Sequence, residues 1–235
     1  MLSCNIPFAQ LGVQLGQDAI RSQAEKFGFS KSIDIPLRST PSTYPNNMDD
    51  AQTALSSFGQ YDDRVTPLQI AMISAAVANG GSEMKPTLIQ NVQSANLASL
   101  WSPQPEQYAT PISAQTATWL KQMMINAVAH GVSSNGQIKG VEVAGKTGTA
   151  QVIAIKQNEK YVESKVAERH RDHSLFVAFA PSESPRIALA VIVENGGFGA
   201  RAAAPIARQV LDYFLMGKRP KKPAPENAKA EGGGD

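Results

Sequence analysis

A nine-residue stretch, residues 143–151, constrains the fold of this chain most. It reads Val-Ala-Gly-Lys-Thr-Gly-Thr-Ala-Gln, with further β-favouring residues on both sides. In an extended strand alternate side chains share a face, so the Lys146 ammonium and the Thr147 hydroxyl point to opposite faces. Gly148 has no side chain and lets another backbone or a ligand approach closely. The stretch therefore predicts a strand that brings a cation, hydroxyl groups and accessible backbone to one place.

Two strongly apolar runs, residues 174–180 and 187–194, follow this strand. Pro-Ser-Glu-Ser-Pro at residues 181–185 joins them and predicts a hairpin turn. Helical patterns occupy most of the rest of the chain, at residues 6–27, 49–56, 67–79, 114–130 and 202–215. Helices first, then three strands, then one helix predict an α+β domain with an antiparallel sheet rather than alternating βαβ units.

Composition sets broad limits on the class of protein. The 235 residues suffice for one large domain or two small ones, and a net charge of +2 leaves no basic field for nucleic acid. No apolar run is long enough to span a membrane. The single cysteine, Cys4, excludes an internal disulfide. Residues 94–111 are expected to be irregular, and the Lys-, Pro-, Ala- and Gly-rich residues 217–235 to form a disordered tail.

Residues 140–147 also match the phosphate-binding P-loop pattern of Gly, four residues and Gly-Lys-Thr. A P-loop follows a buried strand and opens a helix. Here residues 133–139 are too polar for that strand, and residues 152–155 continue as β-favouring sequence. The context therefore argues against a phosphate site.

Several short motifs occur together in an order that is typical of one known family. They are Ser-Cys-Asn at 3–5 before an apolar helix, Val-Thr-Pro-Leu-Gln-Ile-Ala at 65–71, Ala-Asn-Gly-Gly at 78–81 before Lys-Pro at 85–86, Ala-Gly-Lys-Thr-Gly-Thr-Ala-Gln at 144–151, Phe-Val-Ala-Phe-Ala-Pro at 176–181, and Val-Glu-Asn-Gly-Gly at 193–197. With them, residues 1–216 resemble the C-terminal part of the transpeptidase domain of a class B penicillin-binding protein. From Lys146 onward the chain is most similar to elongation-type penicillin-binding protein 2, whereas the earlier half is closer to the actinobacterial class B enzymes.

The resemblance implies a penicillin-binding-protein/serine β-lactamase-like fold, with helices packed on an antiparallel sheet of five strands, of which this chain supplies three. It implies a peptidoglycan D,D-transpeptidase that cross-links stem peptides by serine acyl transfer and is acylated by β-lactams, without cofactor or metal. A glycosyltransferase of the cell-wall machinery is a further implied partner. The implied location is the outer face of the cytoplasmic membrane, the periplasmic side, with the anchor outside this chain.

The family's site residues can be carried over by motif. Ser3 and Asn5 fill the S-x-N box, where the hydroxyl relays protons and the amide holds the substrate's peptide backbone. Lys146, Thr147 and Gly148 fill the K-T-G box, and Thr149 follows it. In this box the lysine supplies positive charge, the hydroxyls hold a terminal carboxylate, and a backbone N–H helps to form the oxyanion hole. Ser3, Asn5 and Lys146 are thus implied as catalytic, and the other three as substrate-binding.

Two alternatives compete for the S-x-N assignment. Residues 94–96 and 133–135 also match the box, but both lie in loop contexts that favour a structural role. Ser3 itself could be no more than the N-cap of the helix that follows it. Its position directly before that helix favours the functional interpretation.

The nucleophile box, S-x-x-K, has a single match, residues 82–85. It follows two glycines, precedes Pro86 and lies between the other two boxes, whereas the family's nucleophile precedes both, so a coincidental match is expected. The nucleophile helix and two strands are then expected upstream of Met1, and the chain alone is expected to be inactive. The alternative is a non-catalytic remnant, or a ligand-binding or interaction domain, with no acyl-transfer activity.

Two further features bear on the site. The family usually has Gly-Gln-Gly before Thr66, but this chain has Gly59-Gln60-Tyr61, which restricts the backbone of that loop. Asp172 and His173 could suggest a Ser-His-Asp triad, yet adjacent residues entering a strand point to opposite faces. A solvated charged loop is favoured there over a metal site.

Overall fold

A computed structural model describes residues 3–153 and 161–219 of the chain. Its helices are α1 (Ile6–Leu15), α2 (Gln17–Lys26), α3 (Asp50–Ser56), α4 (Pro67–Ala78), α5 (Ala114–His130) and α6 (Ala203–Met216). Its strands are β1 (Glu83–Met84), β2 (Val92–Gln93), β3 (Ser99–Trp101), β4 (Gln107–Ala109), β5 (Ala144–Ala150), β6 (His173–Ala180) and β7 (Ile187–Val193). Apart from residues 217–219, the predicted tail lies outside the described residues. Within those residues, no helix combines the length and the apolar character needed to cross a bilayer.

The main sheet is antiparallel with the order β5-β6-β7. Lys146 of β5 lies opposite Val177 of β6, which in turn lies opposite Ala190 of β7. The predicted α+β class, the antiparallel sheet and the hairpin between β6 and β7 are thereby confirmed. The expectation of an irregular segment over residues 94–111 was wrong in part, because β3 and β4 form two-stranded ribbons with β2 and β1. Local composition did not signal these short strands, which depend on partners elsewhere in the chain.

Helices cover both faces of the main sheet. On one face Phe176 of β6 and its neighbours pack against α6, whose Ala203, Ala204, Ala207 and Leu211 are fully buried. On the other face Phe179 packs against Val77 of α4 and Ile125 of α5. Alternation along β6 thus supplies both cores, which is the pattern of a strand buried on its two faces.

Three of the predicted helices begin with a hydrogen bond to the side chain of their N-cap residue. Thr66 Oγ1 accepts from the Gln69 amide at the start of α4, and Ser113 Oγ accepts from the Thr116 amide at the start of α5. Asp49 begins α3 with a complete capping box. These starts confirm the sequence predictions.

Two other helix expectations were wrong. A single helix was expected over residues 6–27, but Gly16, with a φ of +78°, separates α1 from α2. The apolar pattern of α5 favours Trp119 and Met123 as core or helix-packing residues, yet they are 58% and 54% exposed. Because α5 touches the sheet along only one face, apolar side chains on its other face stay at the surface.

The loop of residues 57–65 carries a strained residue that the sequence singled out. Tyr61 adopts a φ of +72°, in the left-handed region, at a position where the family that the sequence resembles usually has glycine. A non-glycine residue in this region is strained by roughly 1–2 kcal/mol, which a glycine would relieve. Glycine also has more conformational freedom in the unfolded chain, and this offsets roughly 0.5–1 kcal/mol of the gain in stability. Tyr61→Gly is therefore expected to raise the free energy of unfolding by up to about 1 kcal/mol in urea titrations.

The matched control lies two residues earlier in the same loop. Gly59 has a φ of +84° and no atom within 4 Å of the position of an added Cβ, so Gly59→Ala introduces backbone strain without a clash. We expect it to lower the free energy of unfolding by about 1 kcal/mol. A clear loss of stability in Tyr61→Gly would show that contacts of the tyrosine ring outweigh the strain.

Candidate active site

All six site residues predicted from the sequence line one pocket of about 370 Å³. The pocket lies between the N-terminal end of α1 and the outer edge of β5, defined as the edge that faces away from β6. Four residues that were not assigned a role from the sequence complete its lining: Phe58, Gln60, Val132 and Phe198. The fold thus brings Ser3 at the start of the chain together with Lys146, which lies 143 positions later in the sequence.

Ser3 and Lys146 are in direct contact across this pocket. Lys146 Nζ donates to Ser3 Oγ at 2.9 Å and to the carbonyl oxygen of Thr147 at 2.8 Å. Asn5, not Ser3, is the N-cap residue of α1, and its side chain makes no capping hydrogen bond. The simple capping role considered for Ser3 is therefore not what the structure contains.

Burial lowers the pKa of the Lys146 ammonium from its ordinary value. Removing a charged group from water disfavours its charged form, so the proton of Lys146 is easier to lose than that of a solvated lysine. An ammonium has three donors, and two of them contact Ser3 and Thr147. One donor remains for an anionic group placed in the pocket.

The outer edge of β5 is partly occupied by the protein's own groups. The Thr147 amide donates to Ser133 Oγ at 3.1 Å, and Ser133 is fully buried. Gln60 Nε2 donates to the Thr149 carbonyl at 2.8 Å, and the Gln151 amide donates to Gln60 Oε1 at 3.1 Å.

The Thr149 N–H is a donor on this edge that remains open within the pocket. Both main-chain groups of a strand residue point to the same edge, so the Thr149 N–H points outward like its carbonyl. Among the described residues it has no hydrogen-bond acceptor. An open backbone donor beside a lysine and a serine is a suitable partner for an oxygen that gains negative charge.

Gly148 is the point of close approach that the sequence predicted. A Cβ at Gly148 would lie 3.2 Å from that of Leu175 on β6, and one at Gly199 would lie 2.3 Å from the Gly148 carbonyl oxygen. The backbone after β7 therefore lies directly against the K-T-G strand. The Gly199 amide donates weakly to Thr149 Oγ1 at 3.4 Å, which leaves the threonine hydroxyl hydrogen free to donate.

The other sequence matches have structural surroundings. Lys85 pairs with Asp34 at 3.2 Å and Glu106 at 3.6 Å, and neither Ser82 nor Lys85 lines the pocket. Asn135 Nδ2 donates to the Ala200 carbonyl, so its side chain stabilises the loop after β7. Both observations agree with the interpretation of these matches as coincidental or structural.

The P-loop and triad alternatives also lack the geometry they require. The strand β5 continues through Thr147 to Ala150, so no helix opens after the Gly-Lys-Thr sequence. His173 Nδ1 accepts from the Asn195 amide, which assigns the imidazole to a loop contact. Within residues 3–153 and 161–219, no group of three or more histidine, cysteine or acidic residues could hold a metal ion.

The comparison with known proteins decides the family. Residues 1–212 match the sequence profile of the penicillin binding protein transpeptidase domain. The chain belongs to this family. Its resemblance to the class B penicillin-binding proteins and its α+β transpeptidase fold are thereby confirmed.

Individual relatives agree with the profile. The chain is 37% identical over 227 residues to the peptidoglycan D,D-transpeptidase PbpA of Mycobacterium tuberculosis, covering 92% of this chain and 43% of PbpA. It is 33% identical over 245 residues to the peptidoglycan D,D-transpeptidase MrdA of Acinetobacter baumannii, covering 99% of this chain and 36% of MrdA. The chain thus spans less than half the length of these curated relatives.

Solved structures show the same fold. Penicillin-binding protein A of M. tuberculosis, in its ceftriaxone acyl-enzyme complex, superposes with a TM-score of 0.80 at 36% identity, covering 91% of this chain and 47% of that one. The transpeptidase domain of a peptidoglycan glycosyltransferase from Eggerthella lenta superposes with a TM-score of 0.79 at 32% identity, covering 91% and 51%.

Sequence reasoning missed the roles of Gln60 and Ser133 in this transpeptidase domain. Ser133 was assigned to a structural loop, which is correct, but its hydroxyl contacts the K-T-G strand itself. Gln60 was noticed only as part of Gly-Gln-Tyr. The family's Gly-Gln-Gly pattern was the available signal. A glutamine between two glycines lies in a loop whose backbone can bring the side chain to a distant strand.

Proposed function

We propose that the protein is a peptidoglycan D,D-transpeptidase, and that this chain supplies its proton relay and carboxylate-binding elements. The observation that carries the proposal is the Lys146–Ser3 hydrogen bond at 2.9 Å across a pocket that also contains the open Thr149 N–H. In the proposal the nucleophilic serine of an S-x-x-K box comes from residues outside the described pocket.

Substrate binding follows from the charge and donors of the K-T-G strand. A terminal carboxylate of a stem peptide, or the carboxylate of a β-lactam, accepts from the remaining Lys146 donor and from the Thr149 hydroxyl. Asn5 holds the peptide backbone through its side-chain amide, which presents both a donor and an acceptor. These contacts place the scissile carbonyl beside the Thr149 N–H.

Acyl transfer then needs one proton to move. The nucleophilic serine oxygen attacks the carbonyl carbon, and the carbonyl oxygen gains negative charge that the Thr149 N–H stabilises. The hydroxyl proton of the attacking serine passes to the lysine of its S-x-x-K box. When the C–N bond breaks, the leaving amine takes a proton from the Ser3 hydroxyl, and Lys146 replaces it through the hydrogen bond between them. The proton held by the S-x-x-K lysine then restores Lys146, so the net transfer is one proton from the serine to the amine. The incoming amine of a second stem peptide reverses these steps and forms the cross-link.

The relatives support the substrate class and the place of action. PbpA and MrdA are named peptidoglycan D,D-transpeptidases, and the M. tuberculosis protein has been solved as a ceftriaxone acyl-enzyme. We propose stem peptides and β-lactams as ligands, a cell-wall glycosyltransferase as a partner, and the periplasmic side of the cytoplasmic membrane as the location.

Labelling with a fluorescent penicillin tests the proposal in two proteins. The chain alone is expected to form no adduct that survives denaturation, because Lys85 pairs with acidic residues rather than with Ser82. A chimera in which this chain replaces the matching residues of M. tuberculosis PbpA is expected to be labelled, since PbpA then provides the S-x-x-K segment.

Two outcomes would contradict this assignment. An unlabelled but folded chimera would favour the alternative of a non-catalytic ligand-binding domain. A label on the chain alone that disappears in Ser3→Ala would make Ser3 the nucleophile instead of the relay, and a label that disappears in Ser82→Ala would make the residue 82–85 match functional.

A further inference from the structure

The side chain of Gln60 makes two hydrogen bonds to the outer edge of β5. Its Nε2 donates to the Thr149 carbonyl at 2.8 Å, and its Oε1 accepts from the Gln151 amide at 3.1 Å. One primary amide thus satisfies a carbonyl and an N–H that belong to alternate residues of the strand. A single residue of an added parallel strand, with its own N–H and C=O facing this edge, would present the same donor and acceptor.

The backbone of Gln60 is held on the opposite side of the pocket. Its amide donates to the Leu55 carbonyl at 3.1 Å, in the last turn of α3, and the preceding Gly59 amide donates to the Ser56 carbonyl at 3.0 Å. The loop is tied further by Ser56 Oγ, which donates to Asp63 Oδ1 at 2.5 Å. Gln60 therefore connects the helical wall of the pocket to the sheet wall.

The Gln60 contacts lie directly after the Thr149 N–H, a donor without a partner among the described residues. The Thr149 N–H lies between the Thr147 main-chain groups, held by Ser133 and Lys146, and the Thr149 carbonyl, held by Gln60. With both neighbours fixed, the direction of the Thr149 N–H is set by the protein before a ligand arrives. Such preorganisation of a donor is the condition under which it stabilises developing charge.

We propose that Gln60 is a positioning residue that fixes the K-T-G strand edge so that the Thr149 N–H faces the acyl oxygen. The proposal rests on the proposed function, because it assigns the donor to the oxyanion. Gln60 acts through β5, so its loss lowers the rate of acylation more than it lowers the affinity of the first, non-covalent complex.

Gln60→Ala and Gln60→Glu test this in the PbpA chimera, with acylation by a β-lactam resolved into the non-covalent dissociation constant and the acylation rate constant. At pH 7 to 8, Gln60→Ala is expected to lower the rate constant roughly tenfold to hundredfold, the range that a displacement of about 1 Å produces. The dissociation constant is expected to change less than about threefold.

The glutamate variant provides an isosteric rescue that depends on pH. An ionised carboxylate accepts from the Gln151 amide but cannot donate to the Thr149 carbonyl, whereas a protonated carboxyl does both. The rate constant of Gln60→Glu, relative to the parent at the same pH, is therefore expected to recover as the pH falls from 8 toward 5. Gln60→Ala has no such group and is expected to show no recovery.

Gln137→Ala is the matched control. Gln137 Nε2 also donates to two main-chain carbonyls, those of Val128 and Ala129 near the end of α5, but Gln137 does not line the pocket. Its removal is expected to leave the acylation rate constant unchanged. An equal loss in Gln137→Ala and Gln60→Ala, or a Gln60→Glu variant without recovery at low pH, would overturn the positioning role.

Hydrogen exchange in the chain itself separates this proposal from the proposed function. In Gln60→Ala the Gln151 amide is expected to exchange at least about tenfold faster than in the parent, because its acceptor is gone. If the parent chimera is not acylated, the proposed function fails while this measurement still decides whether Gln60 holds the strand edge. Unchanged exchange of Gln151 would show that it does not.

Discussion

Lys146→Ala is expected to lower the rate of β-lactam acylation of the PbpA chimera by about a hundredfold to a thousandfold, with the fold intact. The variant removes the cation that faces the ligand carboxylate and the donor that replenishes the Ser3 proton. Loss of one such contact in an acyl-transfer site typically removes about 3 kcal/mol of transition-state stabilisation. The second-order rate constant for labelling by a fluorescent penicillin measures the effect, and Thr147→Val is expected to weaken acylation in the same direction.

The control for Lys146→Ala is Lys139→Ala. Lys139 is an exposed lysine before β5 that does not line the pocket with Ser3, so its removal changes the net charge equally without touching the site. Acylation of Lys139→Ala is expected at the parental rate. Parental rates in both variants would mean that the Lys-Thr-Gly sequence is only a structural strand.

The pH dependence of acylation follows from the pKa of Lys146. Burial lowers this pKa below its ordinary value, so the ammonium loses its charge at a lower pH than an exposed lysine would. Because the proposed carboxylate contact requires the charged form, we expect the affinity for a β-lactam to fall on the alkaline side below the ordinary lysine range near 10.4.

Glu83→Gln is expected to raise the free energy of unfolding at pH 8 by as much as about 3 kcal/mol and to have little effect near pH 4. Glu83 is fully buried on β1, and burial raises the pKa of its carboxyl to about 7, partly offset by the hydrogen bond from Gln69 Nε2. Its Oε2 has no hydrogen-bond partner among the described residues. Ionisation at this position therefore leaves a buried charge without adequate compensation.

The raised pKa of Glu83 in the folded state fixes the direction in which stability changes with pH. The folded state keeps its proton up to about pH 7, whereas the unfolded chain loses it near pH 4.5. Between these values the folded state binds more protons, so the stability of the parent falls as the pH rises and is lowest above pH 7. A shift of about 2.5 pKa units corresponds to about 3 kcal/mol.

Urea unfolding of the parent and of Glu83→Gln at pH 4 to 8 measures this dependence. The carboxyls of Asp63 and Asp172 also have raised pKa values, but they titrate in both proteins. The difference between the stability curves of the parent and of Glu83→Gln therefore isolates Glu83. The control is Glu106→Gln, whose carboxylate is 68% exposed beside Lys85 and whose loss is expected to change little. A constant difference between Glu83→Gln and the parent across this pH range would contradict the prediction.

Those parts of the fold that depend on neighbours in the sequence could be predicted from it. The hydroxyls of Thr66 and Ser113 contact amides three residues ahead, so the starts of α4 and α5 are visible in the local pattern. The apolar runs that became β6 and β7 are joined by a short turn, which leaves an antiparallel pair as the simple solution. The six predicted site residues could be named from the sequence because their motifs are short and contiguous.

Contacts between distant residues were decided by the tertiary structure. The Lys146–Ser3 bond joins residues 143 positions apart, and the Gln60–Gln151 bond joins residues 91 positions apart. A glutamine in a polar loop has the same local signature whether it faces solvent or a strand edge. Only the packing of the loop after α3 against β5 brings the Gln60 side chain into contact with the strand edge.

The sequence by itself determined the K-T-G and S-x-N groups in the pocket, the alternation along β5 and the antiparallel pairing of β6 with β7. Tertiary structure alone decided the burial of Glu83, the lowered pKa of Lys146 and the isolation of the Thr149 N–H as an open donor. The physical reason is that desolvation and hydrogen-bond satisfaction depend on every element packed around a group. Local propensity describes only the residues within a few positions along the chain.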